Sequence, residues 1–177
     1  ASASSEFSSA RVAWKAFNDN KNTDNVTEDN WESNAGYSTS APYDADQNES
    51  ITDTDGTIHY GDWVALKMPH KLKLAYFEMV APVNNRRPDS MVILGTNNDG
   101  ETYEHIKTIP SITYTSNETT IIVNAAYAYE KIYFLVTSVD GSNGAMDISH
   151  LGLFGHREND TTRFPISSTV QKYPHIT

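Results

Sequence analysis

Asp89-Ser-Met-Val-Ile-Leu94, Gly95-Thr-Asn-Asn-Asp-Gly100 and Glu101-Thr-Tyr-Glu-His-Ile-Lys-Thr108 follow one another without a break. The outer two pieces carry the β-branched and aromatic residues of strands. The middle piece turns the chain, with Asn98, Asp99 and Gly100 tolerating the positive φ of a tight connection. The reading is a β-hairpin. Similar signals extend on both sides. Trp63-Val-Ala-Leu-Lys67 stops at Met68-Pro69, and Lys71-Leu-Lys-Leu-Ala-Tyr76 alternates lysine with apolar residues, the period of a half-buried strand. Thr119-Thr-Ile-Ile-Val123 is a short strand, and Lys131-Ile-Tyr-Phe-Leu-Val-Thr137, the most apolar of all, is expected at the centre of a sheet. Asp140-Gly141 turns the chain, and Ile148-Ser-His-Leu-Gly-Leu-Phe154 supplies a last strand. Residues 1–60 are mostly polar and irregular, with one or two helical turns at Val12-Ala-Trp-Lys-Ala-Phe17 and a long Ser/Thr/Asp/Asn stretch from Trp31 to Gly61. At least six strands, no long helix and abundant turns predict an all-β protein, a β-sandwich.

Composition agrees. Asn, Asp, Ser and Thr make up 63 of the 177 residues, the types suited to turns, caps and strand faces. The 13 Lys and Arg against 23 Asp and Glu leave a net charge of −10, which argues against nucleic acid and anionic membrane as partners, since both are bound through clustered cations. No apolar run reaches the ~20 residues of a membrane-spanning helix. Cysteine is absent, which removes disulfides, thiolate metal sites and cysteine nucleophiles together. The chain begins at Ala1, so a processed or excised piece of a longer product is expected.

The order of these pieces resembles the discoidin, or coagulation-factor C-type, domains. Three blocks carry the likeness. The first is Ala3-Ser-Ser5, then Ala13-Trp-Lys-Ala-Phe-Asn18 and Thr23. The second is Gly61-Asp-Trp-Val-Ala-Leu66, Arg86-Arg-Pro88, Val92-Ile-Leu-Gly-Thr-Asn-Asn-Asp-Gly100 and Tyr103. The third is Tyr133-Phe-Leu-Val-Thr137 with Ile148-Ser-His-Leu-Gly-Leu-Phe-Gly155. The resemblance implies a jelly-roll β-sandwich of the galactose-binding-domain-like kind. It also implies a non-catalytic recognition module, most often for carbohydrate, with ligands held by loops at one end of the sandwich.

The resemblance further implies a structural calcium ion at Phe17, Asn18, Asp19, Asn20 and Thr23, where oxygen ligands would suit a hard cation. Two departures bear on it: Asn18 stands where an aspartate is usual, and His150 where a last-strand glutamate is usual. The alternative is a loop that caps itself through Asx turns. For a sugar, aromatic faces and planar polar groups are needed. Trp31, Tyr37, Tyr43 and Tyr60 in the loop-rich first third, with Arg86 and Arg87 in a later loop, are the candidate glycan contacts, and Trp31 is expected near Arg86. The alternatives are aromatics packed over a loop and arginines paired with the surplus carboxylates. Trp14 and Trp63, with apolar neighbours, are expected in the core. Asn25, Asn48, Asn117 and Asn159 head Asn-x-Ser/Thr acceptor sites, no more of them than chance supplies in so rich a background of Asn, Ser and Thr. His59, His70, His105, His150, His156 and His175 show no metal-ligand spacing, and no nucleophile elbow or phosphate-binding glycine loop occurs, so no enzyme is expected.

The expected organisation is one discoidin-like domain over residues 1–157 and an extended tail or inter-module linker over 158–177. The expected partner is a glycan or glycoprotein, and the expected setting is extracellular, on a cell surface or on a virion. Phe164, Ile166, Val170, Tyr173 and Ile176 in the tail suggest a strand laid on a neighbouring copy, which would build head-to-tail fibres. The alternative is a tail folded back on its own domain.

Overall fold

The computed structural model describes residues 1–21, 29–34, 37, 49–82, 86–141 and 145–158, and the backbone of 171–173. Twelve strands are present among them: β1 (Ser2–Ala3), β2 (Trp31–Glu32), β3 (Ser50–Thr52), β4 (Ile58–Tyr60), β5 (Asp62–Val80), β6 (Arg87–Thr96), β7 (Glu104–Ile109), β8 (Glu118–Ile122), β9 (Tyr129–Asp140), β10 (Asp147–Ile148), β11 (His150–Arg157) and β12 (Gln171–Tyr173). One 3-10 helix covers Ala13–Phe17.

The hairpin read from the sequence is β6–β7, antiparallel from Met91↔Ile109 to Gly95↔Glu104. Its turn uses the residues expected: Asp99 has φ 58° and Gly100 φ 95°. The Asn98 side-chain oxygen closes the turn by accepting from Thr96 Oγ1 at 2.7 Å and from the Thr102 amide at 3.1 Å.

Strand β5 organises the sandwich. Its first part, from Asp62 to Lys67, pairs with β9, and β1 lies on its other side. Between Lys67 and Leu72 the register breaks, and beyond it the strand pairs with β11 and β8 instead. A single strand thus serves both layers: the strand end expected at Met68-Pro69 is instead a break in pairing register inside a continuous β5. One layer is β1, β5, β9, β6 and β7; the other is β8, β5, β11 and β12. The two pack face to face, with Phe77 of β5 edge-on to Phe134 of β9 at 5.0 Å.

Strand alternation distributes the apolar residues. Ile132, Phe134 and Val136 of β9 join Met91 and Ile93 of β6 and Leu151 and Leu153 of β11 in the inter-sheet core. Tyr133 and Leu135 point to the other side of β9, where they form a second cluster with Val92, Leu94, Ala65 and Ile51, the last carried by the β3–β4 hairpin. β9 is central because both its faces are covered. Gly95 is required there: a Cβ would lie 2.4 Å from the Tyr129 ring. Trp14 departs from the expected core position. In the 3-10 helix, Ala13, Ala16 and Phe17 take the buried side, leaving Trp14 57 % exposed with the Lys15 ammonium 5.9 Å above its ring.

The tail does not all lie apart from the domain. Gln171–Tyr173 pairs antiparallel with Leu153–Gly155, completing the edge of the second layer within the same chain. Ending the chain at residue 158 is therefore expected to bare that strand edge and to raise the apparent mass in light scattering relative to the full chain. An unchanged mass would show that β12 protects nothing.

Candidate functional site

Two of the candidate sugar contacts are corrected by burial. Trp31 is fully buried, its indole N–H donating to the Ser5 carbonyl at 2.9 Å. Tyr37 is buried too, its hydroxyl donating to the Val136 carbonyl at 2.9 Å and accepting the Asp62 amide at 3.1 Å. Both rings sit in the core cluster, so neither offers a face to a ligand. Tyr60 is 38 % exposed on β4, and Tyr43 lies outside the described residues.

Trp31 and Arg86 do lie in one neighbourhood. β2 pairs with β10 as Ile148↔Trp31 and Asp147↔Glu32, and the Asp147 amide donates to the Arg86 carbonyl at 3.1 Å. What assembles there is an ion network. Arg86 Nη1 is 2.8 Å from Glu32 Oε1 and 3.5 Å from Asp147 Oδ2. Arg11 pairs with the other Glu32 oxygen, and Asn30 donates to Asp147 Oδ1 at 2.7 Å. Glu32 and Asp147 are 1 % and 0 % exposed. Burial pushes the Asp147 carboxyl above its ordinary range, opposed by Arg86, Arg11 and the Asn30 bond. Arg87 is held by Asp140 at 2.9 Å and lies 4.8 Å over the Tyr114 ring. Both arginines take the carboxylate-pairing alternative.

The loop after the 3-10 helix closes on itself. The Asn18 amide donates to Asp29 Oδ1 at 2.8 Å, the Asn20 side chain donates to Asp29 Oδ2, and the Asn20 backbone donates to Asn18 Oδ1 at 3.0 Å. Asp19 holds φ 64° and comes within 4.0 Å of Nδ1 of the buried His150. Among the described residues of the loop the carboxylates are Asp19 and Asp29, and Asp29 is committed to the two asparagine amides. His150 brings a nitrogen donor where calcium prefers oxygen. Among the described residues no three His, Asp or Glu side chains are grouped to hold a metal, and Thr23 lies outside the described residues. The self-capped loop predicts a melting temperature unchanged by chelator, and a fall on chelation would place an ion there.

Beside this loop lies a cleft of about 260 Å³. Its wall is the outer face of the second layer, where Glu78 opposes Thr120 and Val80 opposes Glu118 across β5 and β8. Lys21 reaches over from the loop, its ammonium 3.0 Å from Glu78 Oε2. Thr115 and Thr119 complete the lining, and Thr119 Oγ1 donates to the Thr113 carbonyl at 2.8 Å. The set combines carboxylate acceptors, hydroxyls and one ammonium. Asn117, an expected glycan acceptor, lies in the turn just before Glu118, its side-chain nitrogen 3.4 Å from the Pro82 carbonyl. Asn25, Asn48 and Asn159 lie outside the described residues. Sequence reasoning missed this cleft. The alternation in β8 placed Glu118 and Thr120 on one face, but no local pattern tells which strand or loop faces them.

The architecture is that of a discoidin-like, galactose-binding-type β-sandwich, as the sequence resemblance implied. The chain is similar in structure to family 32 carbohydrate-binding modules. The CBM32-3 module of a family 31 glycoside hydrolase from Clostridium perfringens matches with a TM-score of 0.62 at 14% identity, over 88% of this chain and 89% of that one. The family 32 module of C. perfringens NanJ, solved with galactose, matches with a TM-score of 0.56 at 16% identity, over 86% and 90%. A fucose-binding module of Streptococcus pneumoniae matches with a TM-score of 0.55 at 12% identity, over 87% and 91%. No family model and no curated protein matches the sequence.

Proposed function

We propose that this chain is a non-catalytic carbohydrate-binding module working outside the cell, on a cell surface or on a particle surface. The observation that carries the reading is the cleft over β5 and β8, which offers carboxylates, threonine hydroxyls and an ammonium on a fold whose structural neighbours include modules for galactose and fucose. Sugar hydroxyls are recognised by a few convergent polar groups of these types. Glycan, or glycoprotein carrying it, is the partner. Among the described residues no helix is long and apolar enough to cross a membrane. A glycan-array screen of the labelled chain tests the proposal. Binding to a coherent set of glycans, lost in a doubly substituted Glu78→Ala, Thr120→Ala chain that still melts as a folded protein, is expected. A chain that binds nothing on the array, or binds equally well with the cleft altered, overturns it.

A further inference from the structure

The β3–β4 hairpin stands apart from the main ladders. Its two strands form a sheet of their own, paired as Ser50↔Tyr60, Ile51↔His59 and Thr52↔Ile58. Ile51 and His59, opposite each other in that pairing, share the face turned to the outer side of the first layer. Ile51 covers the second apolar cluster with Val92, Leu94, Leu135 and Tyr133. His59 lies on His105 of β7, ring centroids 5.8 Å apart and planes within 18° of parallel. The Thr54 amide adds a backbone tie, donating to the Tyr103 carbonyl at 2.8 Å.

The two rings are held differently. His59 Nε2 is 2.8 Å from Asp53 Oδ2, and the His59 side chain is only 11 % exposed. Asp53 also accepts the Asp55 and Thr57 amides at 3.0 and 2.9 Å. The His59 bond, and then those amides, hold its carboxyl below the usual range. A protonated His59 therefore keeps its counter-ion inside the hairpin. His105 is exposed, and its Nε2 meets the Thr108 hydroxyl at 2.9 Å. The charged groups nearby are turned elsewhere. On β7, Glu104 accepts the Tyr129 hydroxyl and Lys107 reaches the Ile122 carbonyl. On the hairpin, Asp55 is exposed in the turn, and on β9 Lys131 lies over the Trp63 and Tyr133 rings. Imidazole is the side chain that gains charge between about pH 8 and about pH 5. A proton on each ring sets two cations face to face, one belonging to the hairpin and one to the sheet, and like charges at 5.8 Å repel.

We propose that the β3–β4 hairpin is an acid-released flap: protonation of His59 and His105 lifts it as a unit from the first layer and bares the apolar face of Val92, Leu94 and Leu135. It moves as a unit because the Asp53–His59 pair and the turn bonds lie within it.

Amide hydrogen exchange of the full chain, followed by nuclear magnetic resonance, tests this. It is read as protection factors, so that the chemical pH dependence of exchange drops out. The Thr54 amide, which bridges hairpin and sheet, is expected to lose protection about fivefold between about pH 8 and about pH 5. The Asp53 amide, bonded within the hairpin to the Thr57 carbonyl at 3.0 Å, and the amides of β9 are expected to keep theirs. In about 1 M salt the fall at Thr54 is expected to shrink below about twofold, because the repulsion is screened. His105→Gln and His59→Gln each leave at most one cation at the stack, and each is expected to abolish the fall. Thr54 protection that does not change with pH overturns the proposal, as does a fall that survives His105→Gln. Loss of protection at Asp53 in step with Thr54 means that the hairpin melts rather than lifts, and also overturns it.

Discussion

Replacing Trp31 with alanine is expected to lower the unfolding free energy by about 3–5 kcal/mol, the usual range for removing a large buried aromatic. Trp31 is fully buried beside the 3-10 helix and β10, in the inter-sheet core, and its indole N–H holds the Ser5 carbonyl. The loss therefore combines a cavity with a freed carbonyl that ties the first residues to the sheet. Trp31→Phe, which keeps most of the volume and drops the hydrogen bond, is expected to lose about 1–2 kcal/mol. Urea unfolding monitored by circular dichroism measures both. A Trp31→Ala chain as stable as the parent, with sugar binding alone reduced, would return Trp31 to the ligand site.

Arg86→Met is expected to be nearly as damaging, by about 3 kcal/mol at neutral pH, because it keeps the aliphatic stem and removes only the charge that faces two buried carboxylates. Glu32 retains Arg11, whereas Asp147 keeps only the Asn30 bond and the more distant help of Arg11. The pH dependence has a definite sign. Burial already raises the folded-state value of Asp147 above its ordinary 3.8, and losing Arg86 raises it further. A carboxyl with a raised folded value carries its penalty when ionised, at pH above that value, and sheds it as pH falls towards 3.8. The deficit of Arg86→Met should therefore be largest near neutrality and shrink as the solution is acidified. Thermal melts of variant and parent across that window check it, and a deficit independent of pH would mean that Asp147 is not the group left exposed to the loss.

Much of the architecture could be read locally. The β6–β7 hairpin with its Asp99-Gly100 turn and the alternation of β9 are short-range patterns, and short-range sterics enforce them. The resemblance over residues 1–157 carried the sandwich. The candidate site was far less legible. Trp31 and Tyr37 look alike in the sequence whether they face a ligand or anchor a polar stretch, and the hydrogen bonds to Ser5 and Val136 that decide the matter come from distant strands. Arg86 lies 54 residues from Glu32, and Lys21 lies 57 from Glu78.

By itself the sequence determined the strands and turns of the second half of the chain, because period-2 burial and turn-permitting residues are properties of a few neighbouring residues; the short strands β2, β3 and β4 in the polar first third carried no such pattern. It determined too, through its charge balance, that the surface is acidic. Only the tertiary structure decided which acids are buried with arginines and which line an open cleft. The bend in β5 carries one strand into both layers, and the cross-strand register then sets Glu78 beside Thr120 beneath Lys21. Desolvation and pairing depend on what lies within a few ångströms, and in a sandwich of long-range pairings those neighbours are far apart along the chain.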